Sequence, residues 1–308
     1  MATLVVHPGA LGDVLLAVPA LRALRGGAPG SPLVLAAQPR IAALLLALGL
    51  VDRGLSVDTL GLEALFADDP GPVSLHGVVG VERIVSWLGA ADPVFVRRLR
   101  TFAPEVIVAP SSRPDAPVWE HLLSTVASKA PAGREPVAVP AALLEDARRH
   151  LRALGWDGLT PLLMVHPGAG GLAKRWPPEA FAEALGPLGR RPELALVIHE
   201  GPADADAVTA LCRHTEAPVL RLTHPTLQLL AGVMTQIAGY LGNDSGPSHL
   251  AAAVGAPSLV LFTREALAWR PWARDARVLT VRTSSVDPND VRTVGTEVLK
   301  MLGQDRRD

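Results

Sequence analysis

Residues 241–253 have the sequence Leu-Gly-Asn-Asp-Ser-Gly-Pro-Ser-His-Leu-Ala-Ala-Ala. The apolar run that leads into this stretch, 237–241, predicts a short buried strand, and the residues at 242–244 are predicted to end it. A helix of small residues is predicted over 247–254, because proline is favoured in the first turn of a helix. A second apolar run, 258–262, predicts the next strand. The stretch therefore predicts a strand–turn–helix–strand unit, which is typical of an α/β fold.

The turn at the start of this predicted helix has the composition of an anion site. Free backbone N–H groups at a helix start favour an anion, usually a phosphate, and Ser245 and Gly246 lie at that start. His249 follows about one helical turn later. The alternative is a capped turn, with Asp244 or Ser245 as the N-cap residue and His249 on the helix surface. The turn alone leaves both interpretations open.

Length and composition limit the class of protein. A chain of 308 residues is too long for most single cores, so two domains are expected. The net charge of −1 gives no electrostatic support for nucleic-acid binding. The single cysteine, Cys212, excludes a disulfide framework and a thiolate metal site. No apolar stretch is long enough, without glycine, proline or charge, to predict a membrane span.

The amino-terminal half begins with a predicted strand at 3–6 and a Gly-rich turn at 7–13, followed by a predicted helix over 14–24. Asp13 stands immediately before that helix. Its structural interpretation is an N-cap, and its functional one is a carboxylate at the carboxyl end of the first strand, where α/β sheets bind ligands. Further strands are predicted at 33–37 and 105–109, and further helices at 40–48, 81–88, 92–102 and 119–128.

A second α/β domain follows a predicted linker at 130–140, so we expect domains at 1–135 and 136–308. Its predicted strands are at 162–165, 194–199, 219–222 and 278–281, and its predicted helices are at 141–154, 178–188, 203–213, 226–234 and 291–302. The sequence Val-His-Pro-Gly-Ala occurs at 6–10 and again at 165–169, each time after the first strand of a half. This repeat favours two related α/β domains.

Three motifs carry a resemblance to glycosyltransferase family 9, the lipopolysaccharide heptosyltransferases. Residues 10–24 resemble the family's amino-terminal signature, residues 166–177 its lysine-containing loop, and residues 243–253 its phosphate motif. The resemblance implies the GT-B architecture, which has two Rossmann-like domains with parallel sheets facing a central cleft. It places the acceptor on the amino-terminal side and the nucleotide-sugar on the carboxy-terminal side. The last helix is expected to pack back on the amino-terminal domain.

The resemblance also assigns catalytic roles. Asp13 is implied to be the general base that takes the proton from the acceptor hydroxyl. Lys174 is implied to stabilise the charge that develops on the leaving diphosphate, and a solvated loop lysine is its structural alternative. We expect the neighbouring Arg175 to form a structural ion pair.

Donor binding is assigned to a second set of residues. The backbone at Ser245 and Gly246 and the His249 ring are expected to contact phosphate, whereas Asp244 is expected to organise the turn. Glu200 or Asp204 is a candidate to hold the donor ribose, and surface carboxylates are the favoured interpretation of both. Donor binding is thus predicted for Gly12, Gly168, Glu200, Asp244, Ser245, Gly246 and His249.

The function implied by the resemblance is an inverting glycosyltransferase that moves a heptose from ADP-heptose to a glycolipid or saccharide acceptor of lipopolysaccharide-core type. The residues themselves do not distinguish heptose from another sugar, or ADP from UDP or GDP, and they leave the acceptor open. The resemblance implies a cytoplasmic bacterial enzyme with no obligatory metal and no cofactor, in peripheral contact with the inner membrane. Candidate acceptor-binding residues are Arg97, Arg98, Arg100 and Arg113, with a solvated helix face as the simpler interpretation. The alternatives are a nucleotide-sugar epimerase or hydrolase of the same fold, and a non-catalytic nucleotide-sugar-binding protein. A nicotinamide-dependent oxidoreductase is disfavoured because no Gly-x-Gly-x-x-Gly follows either first strand.

Overall fold

The computed structural model describes residues 2–68, 74–126, 133–188, 193–215 and 218–303. The chain forms two compact units, Met1–Arg134 and Glu135–Asp308, divided one residue before the predicted boundary. Residues 130–132 of the predicted linker lie outside the described residues, as do 127–128 at the end of the helix predicted over 119–128. No helix in the described ranges is long and apolar enough to cross a membrane.

The first unit is built on a five-stranded parallel sheet in the order β3-β2-β1-β4-β5. In chain order its strands are β1 (Ala2–Val6), β2 (Leu33–Ala37), β3 (Arg53–Ser56), β4 (Val81–Ser86) and β5 (Glu105–Val108). Its helices are α1 (Leu11–Leu16), α2 (Val18–Gly27), α3 (Pro39–Ala47), α4 (Pro93–Leu99) and α5 (Val118–Thr125). Leu4, Val6, Ile84 and Phe95 are members of one buried core cluster.

One strand of this unit was predicted as a helix, and another strand was not predicted. Residues 81–88, predicted as a helix, contain β4, which lies between β1 and β5 in the sheet. A parallel strand covered on both faces lacks the alternation that marks a half-buried strand, so its apolar residues could be fitted to a helical face. The edge strand β3 was not predicted, because Arg53 and Gly54 are exposed and give it no apolar pattern.

The helix predicted over 14–24 is two helices, α1 and α2, and α1 begins before Asp13. The break falls at Ala17, whose N–H bonds the carbonyl of Val14. Pro19, in the first turn of α2, has no N–H with which to continue the ladder of α1. Asp13 is therefore in the first turn of α1 and is not an N-cap residue, which corrects its structural interpretation.

The second unit is built on a six-stranded parallel sheet in the order β11-β10-β9-β6-β7-β8. Its strands are β6 (Leu162–His166), β7 (Ala195–Glu200), β8 (Val219–Thr223), β9 (Gly239–Asn243), β10 (Ser258–Phe262) and β11 (Ala276–Thr280). Its helices are α6 (Ala141–Ala153), α7 (Pro178–Leu185), α8 (Ala205–His214), α9 (Leu227–Met234), α10 (Gly246–Ala253) and α11 (Pro288–Met301).

The strand order in each sheet reverses direction once, and the reversal fixes where a ligand can bind. The reversal falls between β1 and β4 in the first unit and between β6 and β9 in the second. In open α/β sheets, ligands bind outside the carboxyl ends of the strands at this switch point, because the connecting helices diverge there. The second unit is held together by a core that includes Trp176 and Phe181, and α11 packs against α7 within it.

Candidate functional site

The switch point of the second unit brings the turn after β6 against the turn after β9, and Asn243 joins them. The Nδ2 of Asn243 donates to the carbonyl of Pro167 at 2.8 Å and lies 3.4 Å from that of Gly168. Its Oδ1 accepts a hydrogen bond from the Trp176 N–H at 3.0 Å. Asn243 was predicted to end the strand. Instead, it and Gly242 are the last two residues of β9 and both are fully buried.

Lys174, Asp244 and His249 form one charged group beside this junction. The Lys174 Nζ lies 2.6 Å from Oδ2 of Asp244, and the His249 Nε2 lies 3.6 Å from Oδ1 of the same carboxylate. Burial by itself raises the pKa of Asp244, but hydrogen bonds from His249 and Lys174 outweigh burial and hold that pKa below its ordinary value. Asp244 is therefore an anion that orders its two cationic or donor neighbours, and the predicted role of organising the turn agrees with this geometry.

The start of α10 presents backbone rather than side-chain groups. Ser245 occupies the N-cap position, but its side chain makes no capping hydrogen bond. Its Oγ instead lies 3.2 Å from the Oγ of Ser248, which donates to the carbonyl of Asn243 and lies 3.0 Å from the Tyr240 hydroxyl. The first-turn N–H groups of a helix have no acceptor within the helix, so this start can receive an anion. His249 is buried, which contradicts the alternative of a helix-surface histidine.

The loop that carries Lys174 is fixed on both flanks. The Arg175 guanidinium bonds both carboxylate oxygens of Asp206, at 3.0 and 2.8 Å, and the carbonyl of Ala203, which confirms the expected structural ion pair. On the other flank, the Thr283 hydroxyl donates to the carbonyl of Ala173 at 2.8 Å. Because its neighbours are anchored, the Lys174 side chain stays at the site while 45% of its surface remains exposed.

Glu200 ends β7, one strand away from β6, and it is buried rather than a surface carboxylate. Its Oε2 pairs with the Arg221 guanidinium at 2.5 Å, and its Oε1 lies 4.0 Å from the Nε2 of His224. The carbonyl of Glu200 accepts a hydrogen bond from the N–H of His224, which has a φ of 46°. An acceptor for ligand hydroxyls is thereby held at the same sheet edge as the α10 start.

Gly168 is packed against Asp204, the other carboxylate that the sequence left as a surface candidate. Asp204 is buried, and its Oδ2 accepts a hydrogen bond from the N–H of Gly201 at 3.1 Å. A Cβ added to Gly168 would lie 2.0 Å from Oδ1 of Asp204. The absence of a side chain at Gly168 therefore lets the turn after β6 close on this carboxylate.

A buried pair of histidines lies beneath the same turn. The Nδ1 atoms of His166 and His199 are 3.0 Å apart, and the Nδ1 of His166 also lies 3.3 Å from the carbonyl oxygen of His199. Burial lowers the pKa of His166, and burial together with the neighbouring His166 places the pKa of His199 well below its ordinary value. Both rings are therefore neutral near pH 7, and the pair is a structural element of the sheet edge.

In the first unit, the predicted base Asp13 is held by its own turn. Its Oδ2 accepts a hydrogen bond from the N–H of Ala10 at 3.1 Å, and Gly12 is half-buried beside it in the first turn of α1. The Nδ1 of His7 accepts a hydrogen bond from the N–H of Gly9 at 3.2 Å. A Cβ on Gly9 would lie 2.8 Å from both Cβ of Asp13 and Cε1 of His7, so this glycine permits the two side chains to approach.

His7 is neutral because it is buried. Burial lowers its pKa from 6.5 to about 4, although the Asp13 carboxylate opposes this shift. Its Nε2 has no hydrogen-bond partner among the described residues, and its ring packs edge-on against Trp87 at 5.4 Å between centroids. His7 therefore supports the turn below Asp13 as an uncharged group.

The arginines proposed for an acceptor separate into two kinds. Arg98 donates to the carbonyls of Leu65, Ala67 and Asp68, so it is a structural residue that ties α4 to the preceding loop. Arg97 and Arg100 are exposed and line a cavity of about 600 Å³ in the first unit, beside the start of α4. No three His, Cys, Asp or Glu side chains in the described part of the chain are grouped as a metal site.

Sequence reasoning missed two functional features of this site. Asn243 is the residue that joins the two turns, and its position between a strand and a helix start was the available signal. Arg221 is the ion-pair partner of Glu200. The sequence gives no indication of this pairing, because the position of Arg221 in a strand does not reveal which residue of the next strand it faces.

The comparison with known families decides the identity of this arrangement. A family model described as glycosyltransferase family 9 (heptosyltransferase) matches residues 111–295, which is more than half of the chain. The chain belongs to glycosyltransferase family 9. The matched range contains the Gly168 turn, the Lys174 loop and the α10 start.

Individual relatives agree with the family. Lipopolysaccharide heptosyltransferase 3 of Escherichia coli K12 is 30% identical over 133 residues, which cover 42% of this chain but only 38% of that protein. The solved structure of E. coli ADP-heptose lipopolysaccharide heptosyltransferase II matches with a TM-score of 0.74 and 18% identity, and covers 100% of both chains. The structure of E. coli heptosyltransferase WaaC with ADP matches with a TM-score of 0.70 and 16% identity over 98% of this chain and 100% of the other. The predicted α/β fold with two Rossmann-like parallel sheets is thereby confirmed as that of the GT-B heptosyltransferases.

Proposed function

We propose that this family 9 member transfers a heptose from ADP-heptose to a saccharide acceptor of lipopolysaccharide-core type, with inversion at the anomeric carbon. The observation that carries the proposal is the Lys174–Asp244–His249 group, which lies at the start of α10 and at the switch point of the second sheet. A helix start and a cation together suit a nucleoside diphosphate, because both stabilise the negative charge of its two phosphates.

The residues that bind the donor are this group, the α10 start and Glu200. Diphosphate oxygens contact the backbone N–H groups of Ser245 and Gly246 and the side chains of Lys174 and His249, while Asp244 keeps the last two oriented. The exposed part of Lys174 is available for phosphate while its Nζ stays bonded to Asp244. Glu200, fixed by Arg221, accepts hydrogen bonds from the ribose hydroxyls. The choice of ADP-heptose is supported by relatives described with ADP and as ADP-heptose transferases.

Asp13 supplies the base. The acceptor hydroxyl oxygen attacks the anomeric carbon of the heptose while its proton passes to the Asp13 carboxylate. The bond from the anomeric carbon to the phosphate oxygen breaks, and ADP leaves with the bonding electron pair. Attack from the face opposite the leaving group inverts the anomeric configuration. The negative charge that accumulates on ADP is stabilised by Lys174 and the α10 start, so the reaction proceeds without a metal ion or a cofactor.

The remaining parts of the proposal concern the acceptor and the location of the enzyme. A lipopolysaccharide-core acceptor is a glycolipid, so the enzyme works in the cytoplasm in peripheral contact with the inner membrane. Arg97 and Arg100 form no hydrogen bond or ion pair with the described residues and can receive an anionic acceptor, whereas Arg98 is occupied by backbone carbonyls. Binding of the purified protein to vesicles that contain the acceptor, and not to vesicles without it, is the expected behaviour.

The test begins with the donor. A thermal-shift screen against ADP, UDP, GDP and their sugars, with and without EDTA, should show a rise in Tm with ADP and ADP-heptose that EDTA does not remove. Mass spectrometry of a heptose-deficient core oligosaccharide incubated with ADP-heptose should then show the addition of one heptose. Release of free heptose without acceptor would indicate a hydrolase, an altered sugar on the nucleotide would indicate an epimerase, and binding without any product would indicate a non-catalytic protein.

A further inference from the structure

A polar cavity opens in the second unit at the carboxyl ends of β10 and β11. Its volume is about 510 Å³, and its walls come from the residues that follow β10, from the β11–α11 connection and from the first turn of α11. We refer to it as the β10–β11 cavity. None of the donor-site residues discussed above lines it, so it is a separate feature of the same sheet edge.

The cavity lining is rich in hydrogen-bonding groups that have no partner among the described residues, and the side chains of Arg264, Glu265, Thr280 and Ser284 are exposed to solvent. The side chains of Thr263, Arg264, Glu265, Thr280 and Ser284 make no hydrogen bond or ion pair with any described residue. Unpaired hydroxyl, guanidinium and carboxylate groups that face one space can satisfy a ligand that both donates and accepts hydrogen bonds. A polyhydroxylated sugar ring is such a ligand.

The charges and the side-chain types of the lining narrow the chemical class of the ligand further. Two arginines, Arg264 and Arg282, are matched by two carboxylates, Glu265 and Asp290, and Arg282 also pairs with Asp287 at 3.0 Å. This balance gives no net attraction for a phosphorylated ligand. The lining contains no aromatic side chain on which a nucleobase could stack. The chemistry therefore fits an uncharged saccharide better than a phosphate or a base.

The cavity adjoins the Lys174–Asp244–His249 group through two direct contacts. The Thr283 hydroxyl in its wall bonds the carbonyl of Ala173, the residue before Lys174. The N–H of Asp244 donates to the carbonyl of Leu261 in β10, the strand that leads directly to Thr263 in the cavity wall. Neighbouring strands are about 4.8 Å apart, so the carboxyl end of β10 lies one strand spacing from that of β9, the strand that leads to the α10 start. That separation matches the reach of a sugar linked to a diphosphate.

We propose that the β10–β11 cavity is a saccharide subsite, in which Arg264, Glu265, Thr280 and Ser284 bind the hydroxyl groups of an uncharged sugar. The proposal rests on the function proposed above, because the sugar arrives either on the nucleotide or as part of the acceptor. The two sources share the same chemistry, and the experiment below separates them.

The test compares two variants with matched controls. Arg264→Gln removes a guanidinium charge from the cavity and shortens the side chain, and Thr280→Val removes a hydroxyl while keeping the shape of the side chain. Arg213→Gln and Thr209→Val, at exposed positions of α8, make the same chemical changes elsewhere in the second unit. Calorimetric titration measures the Kd of ADP and of ADP-heptose for each protein, and steady-state kinetics measure the KM of the core oligosaccharide.

If the subsite holds the donor sugar, the cavity variants weaken ADP-heptose binding by about tenfold and about fivefold respectively, and leave ADP binding within about twofold. If it holds an acceptor sugar, the KM of the oligosaccharide rises by similar factors while both nucleotide affinities stay constant. Variants that match their α8 controls in all three measurements overturn the subsite but leave the proposed function intact. A wild-type protein that binds no nucleotide-sugar and transfers nothing overturns both.

Discussion

The carboxylate of Asp204 lies against the Cα of Gly168 so closely that a methyl group on that glycine would be 2.0 Å from Oδ1. The carboxylate cannot easily move aside, because Asp204 is buried and bonded to the N–H of Gly201. The conformation of the turn after β6 therefore depends on glycine at position 168, and this dependence can be tested.

Gly168→Ala is expected to destabilise the second unit by about 1–3 kcal/mol, because the added methyl group overpacks a rigid contact. It should also weaken ADP binding, since the turn after β6 borders the α10 start. The measurement is the denaturant midpoint together with the Kd of ADP. Gly170→Ala is the matched control, as a Cβ there meets nothing within 4 Å. Equal midpoints for the two variants would show that Asp204 yields more easily than its contacts suggest.

Lys174→Ala is expected to weaken the binding of ADP and ADP-heptose by about tenfold, because a charge-assisted hydrogen bond to phosphate is lost. The effect should shrink as salt is added, since the lost interaction is between charges. Calorimetry at two ionic strengths measures both. Lys300→Ala, which removes a half-exposed lysine from α11, is the control. An unchanged donor affinity would mean that Lys174 is only the structural partner of Asp244.

Asn243→Ala is expected to lower the free energy of unfolding by about 2–4 kcal/mol. The substitution leaves the Trp176 N–H and the Pro167 carbonyl without their partner inside a buried junction, and each unpaired buried group costs about 1–3 kcal/mol. Urea denaturation of the variant measures this change. Asn289→Ala, at an exposed position of α11, should change stability far less. A small effect at position 243 would indicate that water replaces the amide.

Asp13→Asn is expected to reduce heptose transfer by at least about 100-fold, because the amide cannot take the proton from the hydroxyl of the acceptor saccharide. The amide oxygen can still accept the hydrogen bond from Ala10, so the fold and ADP binding should survive. Turnover numbers and ADP affinity are measured in parallel, with the exposed Asp115→Asn as control. Near-normal turnover in the Asp13 variant would remove this residue from the catalytic role.

The buried His7 predicts a pH dependence of stability. Its pKa is about 4 in the folded chain and near 6.5 when unfolded, so the unfolded state binds more protons at intermediate pH. Stability should therefore fall as the pH drops below about 6.5, and the His7 contribution reaches on the order of 3 kcal/mol by about pH 4. This window lies above the range in which Asp244, with its lowered pKa, takes up a proton.

His7→Asn isolates this contribution, because its Oδ1 can accept the hydrogen bond from Gly9 but does not titrate. Thermal unfolding between pH 7.5 and pH 4.5 should show a smaller loss of Tm in the variant than in the wild type. His76→Asn, at an exposed position, should follow the wild-type curve. Parallel curves for His7→Asn and wild type would contradict a neutral His7.

The sequence predicted the elements of the second unit more completely than those of the first. Its strands carry dense apolar runs separated by clear turn residues, so only their ends were shifted, as at Asn243. In the first unit, β4 lacked an alternating pattern because both of its faces are covered, and β3 lacked an apolar pattern because its first two residues are exposed. Whether such a segment forms a strand depends on the strands beside it in the sheet. The linear sequence does not show which strands these are.

The candidate site also has features that the sequence could predict and features that it could not. The α10 start could be predicted because it stands between a strand end and a helix start, and the Lys174 loop was predicted from its resemblance to the lysine-containing loop of the family. The pairing of Lys174 with Asp244, 70 positions later in the chain, could not be predicted from spacing. The burial of Glu200, Asp204 and His249 was also missed, because nothing local to these residues records which element covers them.

The contact between His166 and His199 favours one tautomer of each ring. Two neutral imidazoles that meet Nδ1 to Nδ1 can hold only one hydrogen atom between them. The carbonyl oxygen of His199, also close to the Nδ1 of His166, can only accept, so the hydrogen belongs to His166 and is shared in a three-centre bond. His166 is then the Nδ1–H form and His199 the Nε2–H form. The nitrogen resonances of these two rings would report the integrity of the β6–β7 edge without any added probe.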